Sequence, residues 1–76
     1  MNVYVSRAKG GGLKAHVIKR EFSFRSWRWE LNDRNAISDE HGLNWFWLDT
    51  RRPVRGQTLY RIWEALHFLK AWEKQL

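Results

Sequence analysis

The 76-residue sequence contains no cysteine, so no disulfide braces it and no thiolate metal site is available. It contains a single proline, Pro53, so little in the chain interrupts strands or helices by that route. Glycine is sparse, and three of the five glycines sit together at 10–12. No apolar run approaches the roughly 20 residues needed to cross a bilayer. The first residues, MNVYVSRAKGGG, lack the basic start and apolar stretch of a signal peptide. The expectation from these absences is a soluble protein of the cytoplasm. Acidic side chains are also few, 8 against 14 basic ones, for a net charge of +6.

Aromatic residues are abundant. Six Trp, four Phe and two Tyr must be accommodated in 76 residues. Each ring can bury about 150–250 Å², whereas a domain of this size buries only about 60% of its unfolded surface. Some of the rings must therefore stay outside, and a cluster of exposed rings marks a contact surface. The charge is uneven as well. Residues 1–30 carry a net +5, residues 31–48 a net −2, and residues 49–76 a net +3. Nine of the 14 basic residues are arginine, the side chain suited to bidentate phosphate contacts. Such a balance favours anionic partners: nucleic acid, a membrane surface or an acidic protein.

The length gives one domain, residues 1–76. Residues 2–6 alternate Val3 and Val5 against Tyr4, as in a strand. RAKGGGLK then reads as a basic hairpin loop, because consecutive glycines lose too much backbone entropy to hold a regular element. Residues 13–20 alternate Leu13, Ala15 and Val17 against Lys14, His16 and Ile18, predicting a second strand. A third strand is expected over 22–31, FSFRSWRWEL. Residues 32–42 are rich in Asn, Asp, Ser and Gly and read as a turn-rich connection, with room for one helical turn at 35–40. NWFWL, 44–48, reads as a short strand apolar on both faces. From about 55 to 75 the positions Leu59, Ile62, Trp63, Leu66 and Leu69 repeat with the period of one helix face. Phe68, Trp72 and Leu76 form an apolar shoulder beside that stripe. The expected fold class is α+β, a small antiparallel sheet of three to four strands packed against one C-terminal helix.

FSFRSWRWEL poses the sharpest question. In a regular strand, Phe22 and Phe24 face one way and Trp27 and Trp29 the other, which leaves the tryptophans as an exposed stacking platform beside Arg25. A bulge at Arg25-Ser26 instead brings all four rings onto one core face.

Four features suggest binding. They are this tryptophan face with Arg25; Arg51, Arg52 and Arg55 before the helix N-terminus, where free N–H groups favour an anion; the basic glycine loop with Arg7, Lys9 and Lys14; and the helix shoulder, a candidate homodimer seam. Neither a P-loop nor a dinucleotide-binding glycine pattern is present. His16, His41 and His67 fall on separate elements with no metal-ligand spacing, and Asp39-Glu40-His41 is a polar turn that nothing completes into a catalytic set. No enzyme activity, metal, cofactor or membrane partner is expected.

The order of elements resembles the arm-binding domains of tyrosine recombinases, which set a three-stranded sheet into the major groove. In size, charge and tryptophan content the chain is also similar to small accessory proteins that phages encode to block host machinery, anti-CRISPR proteins among them. Two readings follow. In one, the protein binds DNA or RNA, with Arg7, Lys9, Lys14, Arg25, Arg28, Arg51, Arg52 and Arg55 on phosphates and Trp27 and Trp29 on bases. In the other, it docks on an acidic or nucleic-acid-binding host protein as an inhibitor, with Trp45, Trp47, Phe68 and Trp72 as anchors and the basic residues steering the encounter.

Overall fold

A computed structural model describes all 76 residues. Four strands and one helix follow in chain order: β1 (Asn2–Arg7), β2 (Leu13–Ser23), β3 (Arg28–Ser38), β4 (Trp45–Trp47) and α1 (Gln57–Glu73). The strands form one antiparallel meander in the order β1-β2-β3-β4. The α+β class and the four-strand count match the pattern of the sequence.

The glycine loop turns β1 into β2. Gly10 and Gly11 have φ of 94° and 101°, and the Ala8 N–H donates to the Gly12 carbonyl. Only glycine adopts that backbone without penalty.

The expected strand over 22–31 is corrected. It is a hairpin turn: β2 ends at Ser23, β3 begins at Arg28, and Phe24–Trp27 form the loop between them. No Gly, Asn or Pro marks the turn, and Trp27 itself takes the left-handed conformation, φ 55°. Serine side chains close it instead. The Ser26 N–H donates to Ser23 Oγ, and Ser26 Oγ donates to Glu30 Oε1 at 2.7 Å. A second correction follows. Residues 32–38 continue β3 and are neither loop nor helical turn. The turn comes after them, where Asp39 Oδ1 accepts the His41 and Gly42 N–H groups.

The core lies between the sheet and α1. Val3 and Val5 of β1, Leu13, Ala15 and Val17 of β2, Ala36 of β3 and Trp45 and Trp47 of β4 point to the helix side. They meet Leu59, Ile62, Leu66 and Leu69 of α1 and Val54 of the connecting segment. Small residues at Ala15 and Ala36 let the helix approach, and their exposure is zero. Trp63, read as part of the core stripe, lies at its margin and stays partly exposed.

The helix runs alongside β1. Arg61 donates to the Met1 carbonyl near one end, and Arg7 makes a bidentate pair with Glu73, at 2.8 and 3.1 Å, at the other. The far half of the β2–β3 hairpin extends past this helix-covered base. Each of these strands has 11 residues, about 37 Å of chain. That length sets the long axis of a molecule measuring 45 × 25 × 22 Å. Residues 20–31 are therefore a projecting arm.

Candidate nucleic-acid interface

The pairing register places the arm's side chains. Phe22 sits opposite Trp29 and Arg20 opposite Leu31, so these residues share one face. Glu21 sits opposite Glu30 and Ser23 opposite Arg28 on the other face, the one continuous with the core. A four-residue loop joins Ser23 to Arg28, so even positions on β2 align with odd positions on β3. The phenylalanines on even numbers and the tryptophans on odd numbers thus come together.

They come together on the face opposite α1, which no element covers. Phe22 lies at the centre of the group. Its ring centroid is 5.1 Å from Phe24, 5.5 Å from Trp27 and 5.4 Å from Trp29, each in an edge-to-face arrangement. Edge-to-face packing secures the rings to one another and leaves ring surface outside. Phe24 is 78% exposed, Trp27 74% and Trp29 60%, with Leu31 beside them. Neither expected arrangement of FSFRSWRWEL describes this. The four rings share a face, as a bulge would make them, but that face is solvent and not core.

Charge on the arm is sorted by face. Arg20 places its guanidinium 5.7 Å from the Trp29 ring centroid, on the aromatic side. Arg25 sits exposed in the turn at the tip. Both carboxylates of the arm, Glu21 and Glu30, belong to the opposite face. Glu21 accepts from Asn32 Nδ2 at 2.7 Å. Glu30 accepts from Ser26 Oγ and lies 3.5 Å from Arg28 Nε, and these contacts, the serine hydroxyl first, hold its carboxyl below the usual range. The aromatic side of the arm is thus cationic where it is charged at all. Nearer the base, the same sheet face carries Tyr4, Lys14, Ile37 and Phe46, together with His16 paired to Asp33.

The other expected contact residues are dispersed. Arg7 is held by Glu73, which raises its pKa further through the hydrogen bond. Lys9 lies in the glycine loop, at the opposite end of the hairpin from the arm tip. Arg51 and Arg52 lead into a short extended segment beside β4, where the Trp47 N–H donates to the Arg52 carbonyl, the Val54 N–H donates to the Trp45 carbonyl, and Pro53 pairs with Phe46. Arg51, Arg52 and Arg55 are all exposed, and none forms a side-chain ion pair. The helix they precede starts at Gln57, and Gly56 at its N-cap position supplies no side-chain cap.

Trp45 leaves the contact set. It is 1% exposed, and its Nε1–H donates to the Gly42 carbonyl at 2.9 Å. Trp47 is half-buried, with the Arg34 guanidinium 3.9 Å from its ring centroid. Arg34 also makes a bidentate pair with Asp49, and that hydrogen bond is the main cause of the lowered Asp49 pKa. Phe68 and Trp72 are exposed, but they lie on α1, on the side of the molecule opposite the aromatic face.

Arg20 joins the site without any motif to announce it. Its signal in the sequence is positional: it lies two residues before Phe22, and hence on the same strand face. His16, His41 and His67 do not converge, and no group of three metal-ligating side chains is present. No helix is long and apolar enough to cross a membrane.

Comparison with family models, characterised proteins and solved structures yields no match.

Proposed function

We propose that the chain binds nucleic acid, DNA or RNA, through the aromatic face of its arm, with unpaired bases stacking on Phe24, Trp27 and Trp29. The observation that carries this reading is the gathering of four rings on an uncovered sheet face, with the arm's carboxylates turned to the other side. Every base has a π-face, so a ring platform of this kind accepts bases without a sequence code. Arg20 and Arg25 flank the rings and supply the phosphate contacts, helped by the protein's net charge of +6. Unpaired strands suit the surface better than a closed duplex, because ring faces can reach bases only where bases are unstacked.

The test is titration of the full chain with fluorescently labelled single-stranded oligonucleotides across a salt series. The expected result is binding that weakens steeply as salt rises, with Trp27→Ala and Trp29→Ala each weakening it about tenfold. No binding at low salt would overturn the reading, as would binding that ignores both salt and the two substitutions.

A further inference from the structure

We propose that two copies of this chain pair through the outer edge of β1, in antiparallel two-fold fashion, with α1 of one copy seated against α1 of the other.

The two edges of the sheet differ. Beyond β4, residues 52–54 cover the edge, and Pro53 stands in the row. β1 pairs only with β2, so its other side presents unpaired N–H and C=O groups. Sheet edges are normally protected by proline, bulges, inward-pointing charges or a covering segment. β1, NVYVSR, has no proline and stays in unbroken register from Asn2 to Arg7; it turns Val3 and Val5 to the core side, and its one charge, Arg7, lies on that side too and is paired with Glu73.

Beside this edge, an open groove of about 430 Å³ runs between β1 and α1. Val3, Val5, Ala65, Phe68, Leu69 and Trp72 form its apolar lining. Phe68, at 64%, and Trp72, at 58%, are exposed there.

Charge and geometry select a second copy as the occupant. The protein as a whole repels itself, at +6, but this surface is balanced. Arg7 is neutralised by Glu73, and Arg61 is offset by Glu64 on the same rim. An anionic polymer gains little here, and two like copies meet without net repulsion. A strand is its own antiparallel complement, which is what an isologous two-fold contact requires.

The ties of Arg61 to Met1 and of Arg7 to Glu73 align the helix with the strand at both ends. A two-fold axis at Tyr4 therefore sets Val3 against Val5 of the second copy and brings the two Phe68 side chains together near the axis. It also sets the Arg61 end of one helix against the Glu73 end of the other. α1 lies against β1, so pairing of the two β1 edges brings the helices directly to each other across the axis, with Phe68 and Trp72 between them. The inference does not depend on the nucleic-acid reading, since the arms lie outside this interface.

The experiment is sedimentation of the full chain at micromolar concentration, together with a cross-linking variant made possible by the absence of native cysteine. The expected results are a two-chain species for the unmodified protein and a monomer–dimer dissociation constant raised tenfold or more by Phe68→Glu or Trp72→Glu. Trp29→Ala should leave the dimer intact. Tyr4→Cys should oxidise to a covalent dimer, because Cα atoms of directly opposed residues lie about 4.5–5.5 Å apart, within disulfide reach. A monomer at all concentrations overturns the proposal. So does a dimer that is indifferent to the helix substitutions and fails to cross-link through position 4. Should a glutamate variant unfold, the cross-linking result decides alone.

Discussion

The base and the arm of this protein are built from the same two strands, yet they hold their large side chains in opposite ways. At the base, β2 and β3 offer small and aliphatic residues, Leu13, Ala15, Val17 and Ala36, to a helix that seals them. In the arm, the same strands offer Phe22, Phe24, Trp27 and Trp29 to the other face, where nothing seals them. Alanines at the base let the helix come close. Rings in the arm have only one another and Arg20 to lean on. Burial in this chain therefore follows helix coverage and not hydrophobicity: the most exposed rings are as apolar as anything in the core. Evidence that side-chain loss is costly at the base and cheap in the arm would sharpen this contrast, and the reverse would break it.

The largest expected effect is at the base. Trp45→Ala should lower unfolding stability by about 3–5 kcal/mol, a large part of what a small domain has, as read by denaturant or thermal unfolding. Gly42→Ala should follow, at about 1–3 kcal/mol. Gly42 has φ of 74°, and an added Cβ would press on Leu66 and Leu13 side chains. In the arm, Trp29→Ala should cost stability only about 0.5–1.5 kcal/mol, the scale of a lost aromatic pair, while weakening oligonucleotide binding about tenfold. If Trp29→Ala unfolds the protein as Trp45→Ala does, the arm is a second core and the contrast fails. Amide hydrogen exchange should show the same split, with arm amides from 20 to 31 exchanging well before those of Ala15, Val17 and Ala36.

The smallest expected effect is the dependence on acid. The carboxyls of Glu30, Asp39, Asp49 and Glu73 all titrate below their ordinary values. The leading causes are the Ser26 hydroxyl, the Gly42 N–H, the Arg34 guanidinium and the Arg7 guanidinium respectively. A lowered folded-state pKa means that the unfolded chain binds protons first as pH falls. The stabilisation is therefore complete above the unfolded value, near pH 4, and is lost as pH drops through the folded values. All four groups face water, so the loss should be a shallow decline in melting temperature. Glu73→Gln should flatten part of it by removing the tie between β1 and α1. A melting temperature that rises on acidification would contradict these assignments.

Much of the architecture was legible. Alternation at 2–6 and 13–20 and the helix period from Leu59 to Leu69 located three elements to within a few residues. The turn at Phe24–Trp27 was not, because turn chemistry is read from Gly, Asn and Pro, and here a Trp takes the left-handed position. The extension of β3 through 32–38 was hidden for a related reason. Asn32, Asp33, Arg34 and Asn35 favour turns locally, but their backbone groups are held by the long ladder to β2, which overrides local preference. The switch of aromatic parity between Phe24 and Trp27 was in plain view, and it is what a hairpin with a four-residue loop produces. For the aromatic face, the sequence singled out Trp27, Trp29 and Arg25, whereas Arg28, the other arginine expected to contact an anion, lies on the carboxylate side of the arm. The sequence offered no motif for Arg20 and no way to separate Trp45 from the exposed rings.

By itself the sequence determined a cysteine-free, strongly basic chain with an amphipathic helix following its strands, and more aromatic surface than so short a chain can hide. Only the tertiary structure decided which rings were left outside. There is one helix, and its 17 residues reach about 25 Å, while the hairpin beneath it is half as long again. It covers one face of the base, so Trp45 is sealed. The opposite face and the whole arm remain open, and there the two halves of FSFRSWRWEL fold back on each other to set Phe22, Phe24, Trp27 and Trp29 side by side.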